Sequence, residues 1–384
     1  MVDESQLRRD IEFLSNRLAH RRANTESERV AAEYIRDRFK DFSTSVTLDD
    51  FYSIDAFAYL FASYYVEFFM VAVLSAWLPW AAFVYGLVMF VLYMAEFTGT
   101  PTMSKLLPQF ETQNVSVRFL SAAPRRLLAI TANYDSPRAT AWTLPNRARW
   151  VNLAHRIVVL CMVIVVLSCA AEGLGVLADS GLRFDQWLRW AATAVLVGAA
   201  LTLYIAENQG THSRGANNNA SGVALLLHLA RRFHEEPLAS TDVVITATGA
   251  KECWFAGMRH MVHGLRGSPM KPYFLNISGV GAGTLRYTAG EGMLHVFRSG
   301  KEWLAVARRH AAQFDATPLV YRGIPTDALI PLAKGMECIG IMATGPHNLP
   351  VEWNSTGDTP ACLDYETLAR ACEFAETLVR DLDQ

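Results

Sequence analysis

Lys251, Glu252 and Cys253 stand side by side in GAKECWFAG, an amine, a carboxylate and a thiol in consecutive positions. Such a triplet does base or nucleophilic chemistry only when its surroundings tune it. A lysine serves as a general base when burial drives off its proton, and a thiol attacks when a histidine beside it takes one. His260 and His263 are the nearest histidines in sequence, while His212, His228 and His234 are scattered upstream. The plainer expectation is that the Lys251 ammonium pairs with Glu252, Asp135 or Asp358, and that Cys253 is a buried, inert thiol. Other chemistries find no foothold. The chain has no HExxH pair and no GxSxG elbow around Ser221, and the GxG of GVGAGTL lacks the third glycine and following helix of a dinucleotide site.

Polar residues of this kind need a frame. RLLAITANYDS is an apolar run that turns polar at its end, as a buried central strand does when its tip carries a site. TDVVITATGAKE, YFLNISGVG and GMECIGIMATG repeat the pattern, and STSVTLDDF and NVSVRFL alternate as half-buried strands do. SQLRRDIEFLSNRLAHR, SERVAAEYIRDRF, GVALLLHLARRF and DYETLARACEFAETLVRDL carry helical spacing, the second behind cap-like Thr25 and Ser27. Strands alternating with helices predict an α/β fold, a mostly parallel sheet with helices on both faces. In such sheets ligands lie beyond the carboxyl ends of the strands. That rule brings NYDS, GANNNASG, GAKECWFAG, NISGVG and EWNSTGDTP to one edge.

Those five segments, in that order, resemble the co-catalytic di-zinc aminopeptidases, a group that includes the glutaminyl cyclases and the noncatalytic relatives nicastrin and nicalin. The family pattern runs AHYDS, GADDNASG, GAEExGxxG, NxDxxG and an HTxxDTP-like segment. The likeness also takes in RVAAEYI near the amino terminus and PTDALIPLAKGMECIGI late in the chain. Carried over position by position, it puts Asn133 where the first histidine ligand belongs and Asn218 where an aspartate bridges both metals. Lys251 replaces the general-base glutamate, Glu252 keeps a glutamate ligand, Ser278 replaces a carboxylate, and Asn354 replaces the last histidine. Asp135 and Asp358 are acids that would lie behind the ligands. Zinc needs imidazole, thiolate or carboxylate donors to offset its charge. Here Glu252 and Lys251 cancel and the rest are neutral, so the resemblance implies a degenerate site with no metal and no other cofactor. The one-zinc set of the glutaminyl cyclases would read Asn218, Glu252 and Asn354.

The chain has 384 residues, 51% hydrophobic against 19% charged, which is apolar for a soluble protein. Its formal net charge of −2 gives no reason to expect nucleic acid as a partner. Ala56 to Ala95 holds one charge, Glu67, and is long enough for two membrane-crossing helices with Pro79 breaking the turn. Ile157 to Ala178 and Trp190 to Ala206 form a second such pair, with Glu172, Asp179 and Arg183 near its turn. Tyr64, Tyr65, Trp77, Trp80, Trp150, Trp187, Trp190 and Tyr204 sit near the expected interfaces. Residues 53–97 and 151–206 are thus two hairpins, four helices in all, inserted into one α/β domain of residues 1–52, 98–150 and 207–384.

Charges crowd the first twenty residues, so no signal peptide is expected. Arg138, Arg147, Arg149 and Arg156 on the domain side outnumber Arg183 and Arg189 beyond the helices, which favours a cytoplasmic domain. The six cysteines form no CxxC pair and read as free thiols. Glu67 is expected to meet a partner within the membrane, and Glu172 to be solvated near an interface. The expected function is that of a catalytically inactive peptidase-like integral membrane protein, a binding or scaffolding subunit of a membrane complex. Its partners would be the lipid bilayer, another integral membrane protein and a peptide or protein segment in the former cleft. The alternative is a membrane-bound hydrolase or aminopeptidase-like enzyme with a site rebuilt from Lys251, Glu252 and Cys253.

Overall fold

The computed structural model describes residues 2–140, 145–175 and 184–384. The chain divides into two compact units. Met1–Ser53, Phe110–Arg149 and Thr211–Gln384 form an α/β unit, and Ile54–Gln109 with Trp150–Gly210 form a helical unit. Residues 98–109, expected with the polar domain, belong to the helical unit. The cause is Glu96, which is fully buried and accepts hydrogen bonds from the backbone and side chains of Thr102 and Ser104 at 2.7–3.1 Å.

The strands are β1 Val46–Ser53, β2 Phe110–Phe119, β3 Arg126–Asn133, β4 Arg138–Ala139, β5 Thr211–His212, β6 Thr241–Thr248, β7 Pro272–Ile277, β8 Thr284–Glu291, β9 Phe297–Arg298, β10 Thr317–Tyr321 and β11 Glu337–Thr344. The main sheet runs β1-β2-β6-β3-β7-β11-β8-β10, with β9 beside β8, and β4 and β5 pair as a separate ribbon. Its centre, β6-β3-β7-β11, is parallel; β2 against β6 and β8 against β11 are antiparallel. Strand β3 is buried from Leu127 to Asn133, which explains its unbroken apolar run ending in an amide. β8 and β10, beyond β11, had no counterpart in the sequence reading.

The helices are α1 Glu4–Glu12, α2 Glu26–Lys40, α3 Phe57–Leu74, α4 Pro79–Phe97, α5 Pro145–Ala148, α6 Val151–Gly173, α7 Phe184–Gln209, α8 Gly222–Glu235, α9 Ala256–Gly264, α10 Lys301–His310, α11 Leu329–Ala333 and α12 Tyr365–Leu382. Thr25 caps α2 by accepting the Glu28 N–H. α8 is buried almost all round, and α2, α8 and α12 pack their apolar faces into one core with the sheet.

In the helical unit α3, α4, α6 and α7 are long and apolar enough to cross a membrane. Pro79 opens α4 as its first residue, where a missing N–H costs nothing. Trp77, Trp80, Leu87, Val91, Trp187 and Leu201 are exposed. Glu67 accepts a hydrogen bond from Tyr85 of α4. Glu172 departs from expectation. Rather than facing solvent, it accepts from Arg189, from Gln186 at 2.9 Å and from Ser75 at 3.3 Å. Arg189, assigned to a polar turn by sequence, lies inside α7 with only 1% of its surface exposed. An ionised acid in an apolar bundle recruits a cation because both would be costly alone. Asp179 and Arg183 lie outside the described residues.

Candidate functional site

Parallel strands β3, β6 and β7 end side by side at Asn133, Thr248 and Ile277, and the loops that follow carry the candidate residues. Tyr134 to Ser136 follow β3, Gly249 to Cys253 follow β6, and Ser278 follows β7. The segment Ala216–Ser221 lies over these tips before α8 begins. Its two flanking glycines are required by space. Gly215 has φ +62, and a Cβ there would stand 2.7 Å from the Asn218 carbonyl oxygen. A Cβ on Gly222 would come within 2.3 Å of the Asn219 side chain.

The structure brings the sequence-derived positions together, bonded largely to one another. Asn218 Nδ2 donates to Asn354 Oδ1 at 2.6 Å. Asn133 Nδ2 donates to the Asp135 carbonyl and to its Oδ1, both at 3.1 Å, while its own Oδ1 accepts from Asn219 Nδ2 at 3.2 Å. Asn219 also ties down β7, donating to the Ile277 carbonyl at 3.0 Å and accepting the Gly279 N–H at 2.8 Å. Asn217 does the same for the next turn, accepting the Gly281 N–H at 2.9 Å and donating to Val351 at 3.0 Å. The three consecutive asparagines are thus three separate ties between loops. Ser278 is buried and anchored through its backbone N–H to Ile341, at 3.0 Å.

Lys251 is 7% exposed and its Nζ lies 2.7 Å from Glu252 Oε1. Burial alone would drive its proton off. Glu252, then Asp135 and Asp327, outweigh that and hold its pKa above the ordinary lysine value. Asp135 supports the pair from behind, its Oδ2 accepting the Glu252 N–H at 2.8 Å. Asp358, an expected partner of Lys251, serves elsewhere. It receives the backbone N–H groups of Asn217 at 2.5 Å and Asn218 at 3.0 Å. Burial raises its pKa to about 6, against the pull of those two groups and of Arg21. Cys253 is buried and accepts from Asn24 Nδ2 at 3.6 Å. His260 is engaged by Asp49 at 2.9 Å and stacks on Phe51.

Four charged residues of this region escaped sequence reasoning. Arg21, fully buried, donates to the carbonyls of Tyr134 at 2.6 Å, Arg214 at 2.7 Å, Gly215 at 2.9 Å, and Leu14. Glu28 accepts from Asn24 N at 2.8 Å, Thr112 Oγ1 at 2.9 Å and Ala250 N at 3.1 Å, and burial pushes its pKa to about 8. Asp327 accepts from Thr248 Oγ1 at 2.5 Å, while its Oδ1 is buried without a hydrogen-bond partner. Burial raises both Asp327 and Glu291 to about 7. Arg21 and Glu28 lie far up the chain in a polar helical region, where nothing local marks them. Asp327 alone had a signal, its place in PTDALIPLAKG.

The donor set does not fit a pair of zinc ions. Asn218 and Asn354 offer neutral amides already bonded to each other, Ser278 offers a hydroxyl, and Glu252 is engaged by an ammonium. Among the described residues no three His, Cys, Asp or Glu side chains gather as a group able to hold a metal.

Residues 195–379 match the model described as peptidase family M28. In three dimensions the chain is similar to BSAP, a zinc aminopeptidase from Bacillus subtilis, with a TM-score of 0.59, 13% identity and coverage of 99% of this chain and 95% of that one. A glutaminyl cyclase from Bacteroides thetaiotaomicron, bound to N-acetylhistamine, matches with a TM-score of 0.57, 12% identity and coverage of 99% and 98%. The LapA aminopeptidase of Legionella pneumophila matches with 0.56, 9% identity and coverage of 99% and 72%. No curated protein matches the sequence. At these identities the structural likeness is one of fold. The protein is a peptidase-like chain with a zinc-aminopeptidase-like fold.

Proposed function

We propose that this chain is a catalytically inactive, peptidase-like integral membrane protein that acts by binding, as a scaffold subunit of a membrane protein complex. The observation that carries the reading is that the would-be ligand and base positions pair with each other, Asn218 with Asn354 and Lys251 with Glu252. A hydrolytic site needs an activated water and a group to take its proton. Here the position of the base is held by a protonated amine, and the network's amides are committed to holding loops together. The same features weigh against a hydrolase rebuilt on Lys251, Glu252 and Cys253, because an ammonium kept charged by three carboxylates is no base.

The binding role draws support from the four apolar helices, whose outward side chains suit lipid or another membrane protein. Asn133, Asn218, Lys251, Ser278 and Asn354 are all buried, so little of the former cleft is offered to a peptide. That favours docking through the helices. The excess of arginine before α6 supports a cytoplasmic α/β domain.

Elemental analysis of the protein purified without added metal, with hydrolysis of aminoacyl amides assayed with and without zinc, tests the inactivity. The expected outcome is substoichiometric zinc and no activity sensitive to Lys251→Ala or Glu252→Ala. One zinc per chain at the site sinks the reading. Purification from native membranes tests the binding role, for which a stable companion is expected; a solitary monomer rejects it.

A further inference from the structure

Glu67 differs from Glu96 and Glu172 in what meets it. Those two acids each accept several hydrogen bonds inside the helical unit. Among the described residues the Tyr85 hydroxyl is the one hydrogen-bond partner of Glu67, and it engages Oε2 alone. Glu67 is half-buried, and the outward face around it is apolar, with Met70 of α3 and Val84 and Val88 of α4 exposed. Met70 and Val88 each stand one helical turn along from Glu67 and Tyr85, so they border the pair. Glu67 follows the first residue of α3 by ten positions and precedes the last by seven, ~15 Å and ~10 Å along the axis. So short a side chain reaches neither interface from that depth. Acids inside membrane-crossing segments pair with a cation, another donor or a backbone group, and here one oxygen still lacks such a partner.

We propose that the α3–α4 face around Glu67 and Tyr85 docks a membrane-crossing helix of another protein, one that carries a lysine or arginine at this depth. The inference rests on the membrane and binding reading above and supplies the partner's chemistry. A cation on the partner gives the second carboxylate oxygen its donor, while Met70 and Val88 pack beside it. Charge decides against a second copy of this chain. Helices α3 and α4 hold no basic residue, and α6 and α7 hold His155, Arg156 and Arg189. Arg156 lies only five residues into α6, which like α3 starts where the chain leaves the α/β unit. Its depth is therefore ~8 Å against ~15 Å for Glu67. His155 is shallower still, and Arg189 is buried against Glu172.

Full-length protein in phosphatidylcholine vesicles is titrated, by energy transfer between fluorophores, with polyleucine peptides of about 20 residues that cross the bilayer. One peptide carries a single central lysine and the other is leucine throughout. The lysine peptide is expected to bind about tenfold more tightly, and Glu67→Gln to abolish that preference. Should Glu67→Gln fail to fold, Met70→Trp, which keeps the acid and crowds the approach to it, supplies the same readout. Equal binding of the two peptides, or a preference that survives Glu67→Gln, overturns the proposal. Self-association of the chain that is lost in Glu67→Gln gives the face to a second copy and overturns it as well. A chain that fails to enter the vesicles removes the membrane reading and the proposal together. An inserted chain indifferent to the lysine removes the proposal and leaves the membrane reading standing.

Discussion

The two units bury charge in different ways. In the helical unit Glu67, Glu96 and Glu172 each have partners from a neighbouring helix or turn: Glu67 with Tyr85, Glu96 with Thr102 and Ser104, Glu172 with Arg189. In the α/β unit Glu28, Asp135, Glu252, Asp327 and Asp358 are pooled around Lys251 and Arg21, with backbone N–H groups and hydroxyls making up the balance. Paired burial is local, so removing one partner disturbs one contact. Pooled burial joins residues two hundred positions apart and leaves acids whose pKa values are pushed toward neutrality.

That contrast can be broken most directly at Lys251. Lys251→Met leaves Glu252, Asp135 and Asp327 without their cation and should cost about 3–5 kcal/mol of stability, read from denaturation in detergent. Adding Glu252→Leu to it should recover part of the loss, since removing both members of a buried pair is better tolerated than removing one. A single variant as stable as the parent would mean that the pool does not depend on this ammonium.

The next effect is one of pH. Glu28 ionises near 4.5 when unfolded and near 8 in the fold. Between those values the folded state holds the extra proton, so stability falls as pH rises from about 4.5 to about 8. Asp327 and Glu291 act with the same sign up to about 7. Glu28→Gln should flatten the loss between pH 6 and 8 by on the order of 1 kcal/mol. Parallel stability curves for variant and parent would remove Glu28 from the pool.

In the helical unit the consequences are smaller. Arg189→Leu leaves Glu172 with its bonds from Gln186 and Ser75, for an expected cost of about 1–2 kcal/mol in thermal unfolding. Glu67→Gln keeps an acceptor for the Tyr85 hydroxyl and should change stability by less than about 1 kcal/mol. A loss as large as that at Lys251 from either change would erase the distinction between paired and pooled burial.

Much of the frame could be read from periodicity. The apolar run of β3 with its polar tip, the alternation in β1 and β2, the all-round apolar α8 and the amphipathic α12 are local patterns, and locality is what sequence records. β8 was hidden because it lies between β11, to which it is antiparallel, and β10, to which it is parallel, a pairing set by neighbours rather than by its own residues. The candidate site was legible wherever a segment follows a strand tip. Arg21 and Glu28 were not, since each reaches it from a helical region whose pattern is that of an ordinary polar surface.

Residue types alone determined that two long apolar stretches exist and that the positions the resemblance aligns with zinc ligands and base carry three amides, a hydroxyl, one carboxylate and an ammonium. Chemistry of this kind survives any change of conformation. Tertiary structure decided the partners: that Lys251 meets Glu252 while Asp358 meets the backbone of Asn217 and Asn218, and that Glu172 meets Arg189 inside its bundle. A charge buried in low dielectric must find compensation within a few ångströms, and which group stands that close depends on how the chain folds back on itself.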